Sequence, residues 1–252
     1  MTDTLLDDAG DELAASTSDA SLRRTEARSA EIERQIATDP SKFRIMTGDR
    51  PTGALHIGHY FGSLANRVRL QNAGVDTIIL IADYQVITDR DGTGPIRERA
   101  INMVADYLAI GIDPTRSTIY AHSAVPALNQ LLLPFLSLVT DAELRRNPTV
   151  KAELEATGDR PMSGLLLTYP VHQAADILFC KANLVPVGKD QLPHLEQTRV
   201  VARRFDERFG RANPAEPVFP QAEALLSKAP TVLGLDGTKM SKTKGNVIEI
   251  GM

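Results

Sequence analysis

Two short segments of the chain carry side chains suited to binding phosphate groups. The first is His56-Ile57-Gly58-His59, in which two imidazoles three residues apart fall on one face of a helix. Imidazole N–H groups and the free backbone N–H groups of a helix N-terminus both donate hydrogen bonds to phosphate oxygens. The second is Lys239-Met240-Ser241-Lys242, a lysine-bearing segment near glycines that presents point charges to phosphates. Together the two segments indicate a nucleotide site.

The first segment lies where a predicted strand passes into a predicted helix. Phe43 to Met46 form a short apolar run, a glycine-bearing turn follows, and a helical pattern continues to Gln71. A second run, Thr77 to Ala82, is β-branched and does not alternate, which is typical of a central parallel strand covered on both faces. Ligands of such sheets bind beside the carboxyl ends of the strands. The two histidines are therefore expected at a ligand-binding edge.

Further elements repeat the order of strand and helix. The pattern predicts a helix from Pro95 to Ile110 and a third strand over Ser117 to Ala121. After a helical stretch come a helix near Val171 to Cys180, a strand over Asn183 to Val187 and a helix from Gln191 to Phe209. This order predicts an α/β fold, a doubly wound parallel sheet of the Rossmann-like (HUP) type over residues 42–252, with a helical insertion at about 125–165.

The first 41 residues have a different composition from the rest of the chain. They are rich in Asp, Glu, Ala, Ser and Thr and contain no aromatic residue. Such a segment buries too little apolar surface to offset the entropy lost on ordering. We therefore expect residues 1–41 to form a disordered or partly helical tail, with one helix around Leu22 to Ile36.

The overall composition excludes several classes of protein. With 252 residues, 42% of them apolar, the chain is long enough for one large domain with a sizeable core. The lone cysteine, Cys180, excludes a disulfide framework and a cysteine-rich metal site, and no dedicated metal site is expected. A net charge of −4 argues against coating nucleic acid through bulk charge. No membrane span or signal pattern is visible, so we expect a cytoplasmic protein with no membrane or DNA partner.

The H-I-G-H segment after the first strand, paired with K-M-S-K-T late in the chain, resembles the motifs of class I aminoacyl-tRNA synthetases. Thr243 stands where that family usually has serine, and a hydroxyl is kept. The resemblance implies that an amino-acid carboxylate attacks the α-phosphate of ATP, which enters with Mg²⁺, and that the aminoacyl group then passes to tRNA. It implies catalytic roles for His56, His59, Lys239, Ser241 and Lys242. It implies ATP contacts from Arg50, Gly58, His59, Gly188, Asp190, Lys239, Met240 and Lys242.

Three further stretches, Thr47 to Gly53, Tyr169 to Leu178 and Val185 to Gln191, resemble tryptophanyl-tRNA synthetases. This resemblance implies L-tryptophan and tRNA(Trp) as substrates. It also implies a tryptophan pocket formed by Met46, Gln85, Tyr169, Gln173, Asp176, Val185, Val187 and Gln191. Helical spacing agrees, because Gln173 and Asp176 share one face of a helix. A carboxylate at position 176 suits an indole N–H, which is a donor only.

Three positions depart from the usual bacterial pattern. Gln173 stands where many members have methionine, Gln85 where histidine is common, and Lys189 where an acidic residue is usual. We interpret the chain as a second, divergent bacterial type of the family. A site discriminates strongly when the wrong ligand leaves its buried polar groups unpaired. We therefore hypothesise that this type binds indole-containing inhibitors differently, which equal inhibition of the wild type and a Gln85→His variant would contradict.

Other functions stay open at this point. Tyrosyl-tRNA synthetases also read their substrate with a glutamine and an aspartate three residues apart, so the spacing of Gln173 and Asp176 does not decide, although Val185 to Gln191 look more like the tryptophan enzyme. A nonenzymatic remnant that binds tryptophan or ATP is a second alternative. A cofactor adenylyltransferase with an H-x-G-H motif is more distant, because it gives no reason for Tyr169, Gln173 and Asp176 together.

The resemblance also has implications for assembly and length. Members of the family form homodimers through the inserted helical region, so we expect a homodimer. They continue into a helical domain that binds the anticodon, and we expect most of that domain to be absent from the 252 residues. The resulting expectation is that transfer to tRNA is impaired.

Overall fold

Parallel strands in one sheet form the centre of the molecule. The computed structural model describes residues 4–88, 94–157, 161–210, 216–227, 232–238, 240 and 245–251. Within these ranges the strands are β1 (Arg44–Asp49), β2 (Asp76–Ile81), β3 (Ser117–Ala121), β4 (Leu184–Val187) and β5 (Glu223–Leu226), in the spatial order β3-β2-β1-β4-β5. All neighbouring pairs are parallel. The predicted doubly wound sheet is confirmed, and its winding direction reverses between β1 and β4.

Helices surround the sheet. They are α1 (Thr4–Thr38), α2 (Ile57–His59), α3 (Ala65–Ala73), α4 (Ile96–Ala109), α5 (Pro126–Gln130), α6 (Leu132–Leu136), α7 (Asp141–Arg146), α8 (Pro148–Thr157), α9 (Gly164–Phe179) and α10 (Leu192–Phe209). A π-helical turn, Tyr60–Leu64, joins α2 to α3. Short 3-10 turns follow β2, β3 and β4 at Tyr84–Ile87, His122–Ala124 and Lys189–Gln191. Helices α5 to α8 occupy the predicted insertion. Within the described ranges, no helix combines the length and apolar character needed to cross a membrane.

Apolar packing on both faces of β2 explains why its sequence does not alternate. Ile79 and Ile81 belong to a core cluster with Met103 and Tyr107 of α4. Leu80 of β2 faces the opposite way and belongs to a cluster that includes residues of α9 and β4. Successive strand residues point to opposite faces, so a strand covered by helices on both sides must be apolar throughout.

Helix α9 begins earlier than the sequence predicted. We expected its start near Val171, but it begins at Gly164, because the Ser163 hydroxyl accepts a hydrogen bond from the backbone N–H of Leu166 at 3.0 Å and caps the first turn. Pro170 lies inside the helix, where it has no backbone N–H to donate to the preceding turn. The earlier start matters because it places Tyr169 on the same helix as the other predicted pocket residues.

The first helix packs against the edge of the sheet formed by β5. Ile32 and Ile36 of α1 are 0% and 3% exposed, so the expectation that residues 1–41 bury little apolar surface is wrong for the end of this segment. The Ser29 hydroxyl donates to the Ala224 carbonyl at 3.2 Å and accepts from the backbone N–H of Leu226 at 3.1 Å. The predicted helix around Leu22 to Ile36 is part of α1. Strand β5 was not predicted, because Glu223-Ala-Leu-Leu is short and lacks β-branched residues.

Candidate active site

A cavity of about 730 Å³ opens beside the carboxyl ends of β1, β2 and β4. Helices α8 and α9 contribute a second wall through residues such as Thr149, Glu153 and Tyr169. All the residues predicted to bind tryptophan line this cavity, namely Met46, Gln85, Tyr169, Gln173, Asp176, Val185, Val187 and Gln191. Arg50, Gly188 and Asp190 from the predicted nucleotide set line it too. The structure thus brings these residues together around one space, and their individual roles stay predictions.

Part of the cavity wall is apolar and closely packed. Met46, Leu80, Val185 and Ile177 line it and belong to one core cluster, with exposures between 1% and 6%. These side chains come from three strands and α9, so the wall is held by the central sheet rather than by loops. A flat aromatic ring placed here would exchange water for apolar contact on this wall.

The Asp176 carboxylate is the polar group set into this apolar surface. It is 2% exposed, and each of its oxygens accepts a hydrogen bond. Gln85 Nε2 donates to Oδ2 at 2.9 Å, and His122 Nε2 lies 2.8 Å from Oδ1. An ionised carboxylate accepts about four hydrogen bonds, so acceptor positions are left for a ligand donor. Asp176 can therefore read an N–H group inserted beside the apolar wall.

A second polar group of the cavity surrounds Tyr169. Its hydroxyl lies 3.3 Å from Nε2 of His194, which is 3% exposed. Burial lowers the pKa of His194 to about 4, so this imidazole is neutral near pH 7. Burial also raises the pKa of the Tyr169 hydroxyl, with the charge of Glu153 adding to the effect and that of Arg50 opposing it. These opposite charges beside Tyr169 suit the ammonium and carboxylate of a zwitterion.

Glu153 differs from the other carboxylates that line the cavity. Asp49 is bound by Arg67, Asp176 by Gln85 and His122, and Asp190 by Gln191. Within the described ranges, the Glu153 carboxylate makes neither a hydrogen bond nor an ion pair. Its charge is therefore available to a cationic ligand group.

A buried ion pair lies at the end of β1 and lines the same cavity. Arg67 is 3% exposed and binds both oxygens of Asp49, at 2.5 and 3.2 Å. The Tyr107 hydroxyl donates to Asp49 Oδ2 at 2.6 Å. Burial alone would raise the pKa of Asp49, but the charge and hydrogen bonds of Arg67, with that of Tyr107, hold the pKa below its ordinary value. The pair fixes the start of the turn that leads to the two histidines.

The histidine segment forms the N-terminus of α2. His56 is the extended residue before the helix, and its backbone N–H donates to Nδ1 of His59 at 3.1 Å. The two rings lie 3.7 Å apart between centroids. A Cβ added at Gly58 would lie 2.9 Å from the His56 ring and 3.4 Å from the sulfur of Met240. Glycine therefore allows this close packing, and its contact with ATP stays a prediction.

The end of the described chain is joined to this segment. Ile57 N–H donates to the Ile248 carbonyl at 2.9 Å, and Ile250 N–H donates to the Leu55 carbonyl at 2.9 Å. Met240 is 6% exposed beside Gly58, which places one residue of the lysine-bearing segment next to the histidines. The predicted residues Lys239, Ser241 and Lys242 lie outside the described ranges, as does Thr243.

Several residues at the site were missed from the sequence. They are Asp49, Arg67, His122, Glu153 and His194. Two features of the sequence could have indicated some of these residues. Asp49 ends β1 and His122 follows β3, and polar residues at the carboxyl ends of strands face the ligand edge. Thr149 and Glu153 lie one helical turn apart on α8 and so share a face.

The sheet, the helix that begins with the two histidines after β1, and the cavity at the carboxyl ends of the strands define a doubly wound α/β protein with a candidate ligand site at its switch point. The family model described as "tRNA synthetases class I (W and Y)" matches residues 38–251. The chain belongs to this family.

Individual proteins are similar to the chain over much of its length. It is 49% identical over 209 residues to a tryptophan–tRNA ligase of Clostridium longisporum, covering 81% of this chain and 60% of that protein. A tryptophanyl-tRNA synthetase of Campylobacter jejuni, solved in complex with ADP and tryptophan, superimposes with a TM-score of 0.72 at 32% identity over 82% of this chain and 62% of that one. A tyrosyl-tRNA synthetase of Archaeoglobus fulgidus gives a TM-score of 0.66 at 26% identity, covering 87% and 65%. The chain thus spans about 60% of the length of the curated relative.

Proposed function

We propose that this chain activates L-tryptophan with ATP, forming tryptophanyl-adenylate and pyrophosphate, as the catalytic part of a tryptophan–tRNA ligase. The observation that carries the proposal is the Asp176 carboxylate, buried in an apolar wall with acceptor positions left over. The similarity to tryptophan–tRNA ligases, at 49% identity for the Clostridium longisporum protein, supports tryptophan over tyrosine.

Each part of tryptophan has a partner of suitable chemistry in the cavity. The indole ring lies against Met46, Val185 and Ile177, and its N–H donates to Asp176. The ammonium group lies near Glu153, whose charge is uncompensated within the described ranges. The carboxylate is then directed toward the nucleotide end of the cavity, where Arg50 and Gly188 lie.

ATP enters as its Mg²⁺ complex and lies between Gly188 and the histidines at the N-terminus of α2. A Cβ at Gly188 would lie 2.6 Å from Asp190 Oδ1, so a larger residue here would displace the Asp190 carboxylate. A tryptophan carboxylate oxygen attacks the α-phosphorus, and the bond from that phosphorus to the bridging oxygen of pyrophosphate breaks. His56, His59 and the lysines of residues 239–242 stabilise the phosphate charge. The protein mainly positions the two substrates.

The further partners follow from this activity. The adenylate is the donor from which the tryptophanyl group passes to tRNA(Trp). We propose that the chain works as a homodimer in the cytoplasm.

The test is the exchange of pyrophosphate into ATP with tryptophan, with tyrosine and without amino acid. Exchange with tryptophan alone supports the proposal, and exchange with tyrosine alone would replace it by the tyrosine enzyme. Because the chain contains no tryptophan residue, all indole fluorescence comes from the added tryptophan, and its change on addition of protein reports binding. Tryptophan binding without exchange would indicate a nonenzymatic binding protein. Addition of tRNA(Trp) then tests transfer separately.

A further inference from the structure

A buried chain of polar side chains connects the cavity to the helical insertion. Gln85 and His122 hold the two oxygens of Asp176, as described above. The His122 ring is 0% exposed and stacks on His172, with centroids 4.7 Å apart and an interplanar angle of 25°. His172 Nε2 in turn lies 2.9 Å from Oδ1 of Asn129 on α5. Residues from four separate segments are therefore connected to the Asp176 carboxylate, directly or through one another.

The two buried histidines make this part of the core less stable than apolar side chains of similar shape would. Burying polar atoms without partners is unfavourable, and native cores contain few of them. Within the described ranges, Nδ1 of His122 and Nδ1 of His172 have no hydrogen-bond partner. Burial lowers the pKa of His172, which keeps its ring neutral. Apolar residues of similar shape would fill this space without leaving polar atoms unsatisfied, so the histidines indicate a function.

A metal ion is one function to consider, because donor atoms of His122, His172 and Asp176 lie within 4.8 Å of one another. The hydrogen bonds favour another reading. Both Nε2 atoms already face oxygen acceptors, at 2.8 and 2.9 Å. Histidine ligands of metals usually donate their second N–H to an acceptor, whereas Nδ1 of His122 is 3.8 Å from Asp83, beyond hydrogen-bond distance. The geometry fits two hydrogen bonds, one to Asp176 and one to Asn129, joined by the stacked rings of His122 and His172.

We propose that His122 is a positioning residue that sets substrate specificity by fixing Asp176 in the orientation that reads the indole N–H. The proposal rests on the proposed function. Asp176 reaches the ligand directly, whereas His122 acts only through it, from 54 residues away in sequence. The stack on His172 and the contact of His172 with Asn129 hold the His122 ring in place. Without that donor, Asp176 can turn away and the pocket accepts rings that lack an N–H.

The test compares two ligands of nearly equal shape. β-(3-benzothienyl)alanine carries sulfur where tryptophan carries the indole N–H. A hydrogen bond to a charged acceptor corresponds to a preference of about 10- to 100-fold, so the wild type should bind tryptophan more tightly by that factor. Dissociation constants are measured by calorimetry, and exchange of pyrophosphate is measured with both ligands.

Four substitutions separate positioning from general structure. His122→Phe keeps a ring in the stack but removes the donor, and the preference for tryptophan should fall by roughly 10-fold. His122→Gln keeps an N–H donor and should retain most of the preference. His194→Gln is the matched control, because this buried histidine lines the same cavity without contacting Asp176, and it should leave the preference unchanged. His122→Ala, checked by circular dichroism, gives a second donor-free variant if His122→Phe does not fold.

The outcomes distinguish this inference from the proposed function. Equal weakening of both ligands by His122→Phe would show that His122 is merely structural and would overturn the inference. A wild type that binds and activates tryptophan without preferring it to the sulfur analogue would also overturn it, while the proposed function stands. A wild type that neither binds nor activates tryptophan overturns both. Stoichiometric zinc that is retained by the wild type and lost in His122→Phe would replace the inference by a metal site.

Discussion

The buried ion pair between Arg67 and Asp49 allows a quantitative test of how the start of the histidine turn is held. Replacing Arg67 by methionine keeps most of the side-chain volume and leaves the Asp49 carboxylate with the Tyr107 hydroxyl as its one remaining side-chain donor within the described ranges. Removing one partner of a buried ion pair costs about 3–5 kcal/mol, because the other charge stays buried and uncompensated. Because the Asp49 side chain is 20% exposed, the expected loss of unfolding free energy lies at the lower end of this range, about 3 kcal/mol.

A double-mutant cycle isolates the pair itself. Asp49→Asn removes the charge that Arg67 neutralises, and the double variant removes both charges. The double variant should be more stable than the sum of the single losses predicts, by about 2 kcal/mol, which is typical of residues in direct contact. Arg69→Met is the matched control on the same helix, because its partner Glu33 is exposed and such surface pairs contribute less than about 1 kcal/mol.

Urea unfolding followed by far-UV circular dichroism measures these free energies, since the chain has no tryptophan to report by fluorescence. The pH dependence gives a second measurement. The pKa of Asp49 lies below its ordinary value of 3.8, so its stabilising contribution is fully present above that pH and is lost as the pH falls through the native pKa. The difference in unfolding free energy between the wild type and Asp49→Asn should therefore shrink on acidification. A loss below about 1 kcal/mol for Arg67→Met, or strict additivity in the cycle, would refute the reasoning.

Three further predictions concern substrate binding and activation. Glu153→Gln should weaken tryptophan binding about 10-fold but leave indole-3-propionate, which lacks the ammonium group, unaffected. Glu155→Gln on the exposed side of the same helix should change neither, and a loss for both ligands would contradict the ammonium assignment. Gly58→Ala should slow pyrophosphate exchange about 10-fold or more with unchanged tryptophan affinity, because the added Cβ meets the His56 ring at 2.9 Å. Lys242→Ala should likewise slow exchange far more than it weakens tryptophan binding, and an unchanged rate would remove Lys242 from the mechanism.

The sheet could be predicted where local sequence and tertiary burial agree. The run Thr77 to Ala82 lies within one residue of β2 at each end, because a central strand covered on both faces is continuously apolar. Strand β3, at the edge of the sheet, was placed at its observed bounds. Strand β5 and the packing of α1 were missed for a common reason. The buried residues of α1 pack beside β5, and Ser29 of α1 forms hydrogen bonds with β5. These contacts can be recognised only when both elements are known. A polar helix with few apolar residues gives no sign of its partner in its own sequence.

The candidate site likewise contains residues that local sequence could group and residues that only the tertiary structure brings together. Gln173 and Asp176 could be grouped because helical spacing is local, and the structure places them with Tyr169 around one cavity. The partners of Asp176 could not be found in that way, because Gln85 and His122 are 91 and 54 residues distant in sequence. A more general rule about the carboxyl ends of strands would have identified them as candidates. Asp49, Gln85, His122 and Gly188 all lie at or just beyond the carboxyl end of a strand. In a parallel sheet those ends meet at one edge, so a polar residue after an apolar strand is a site candidate even when no motif surrounds it.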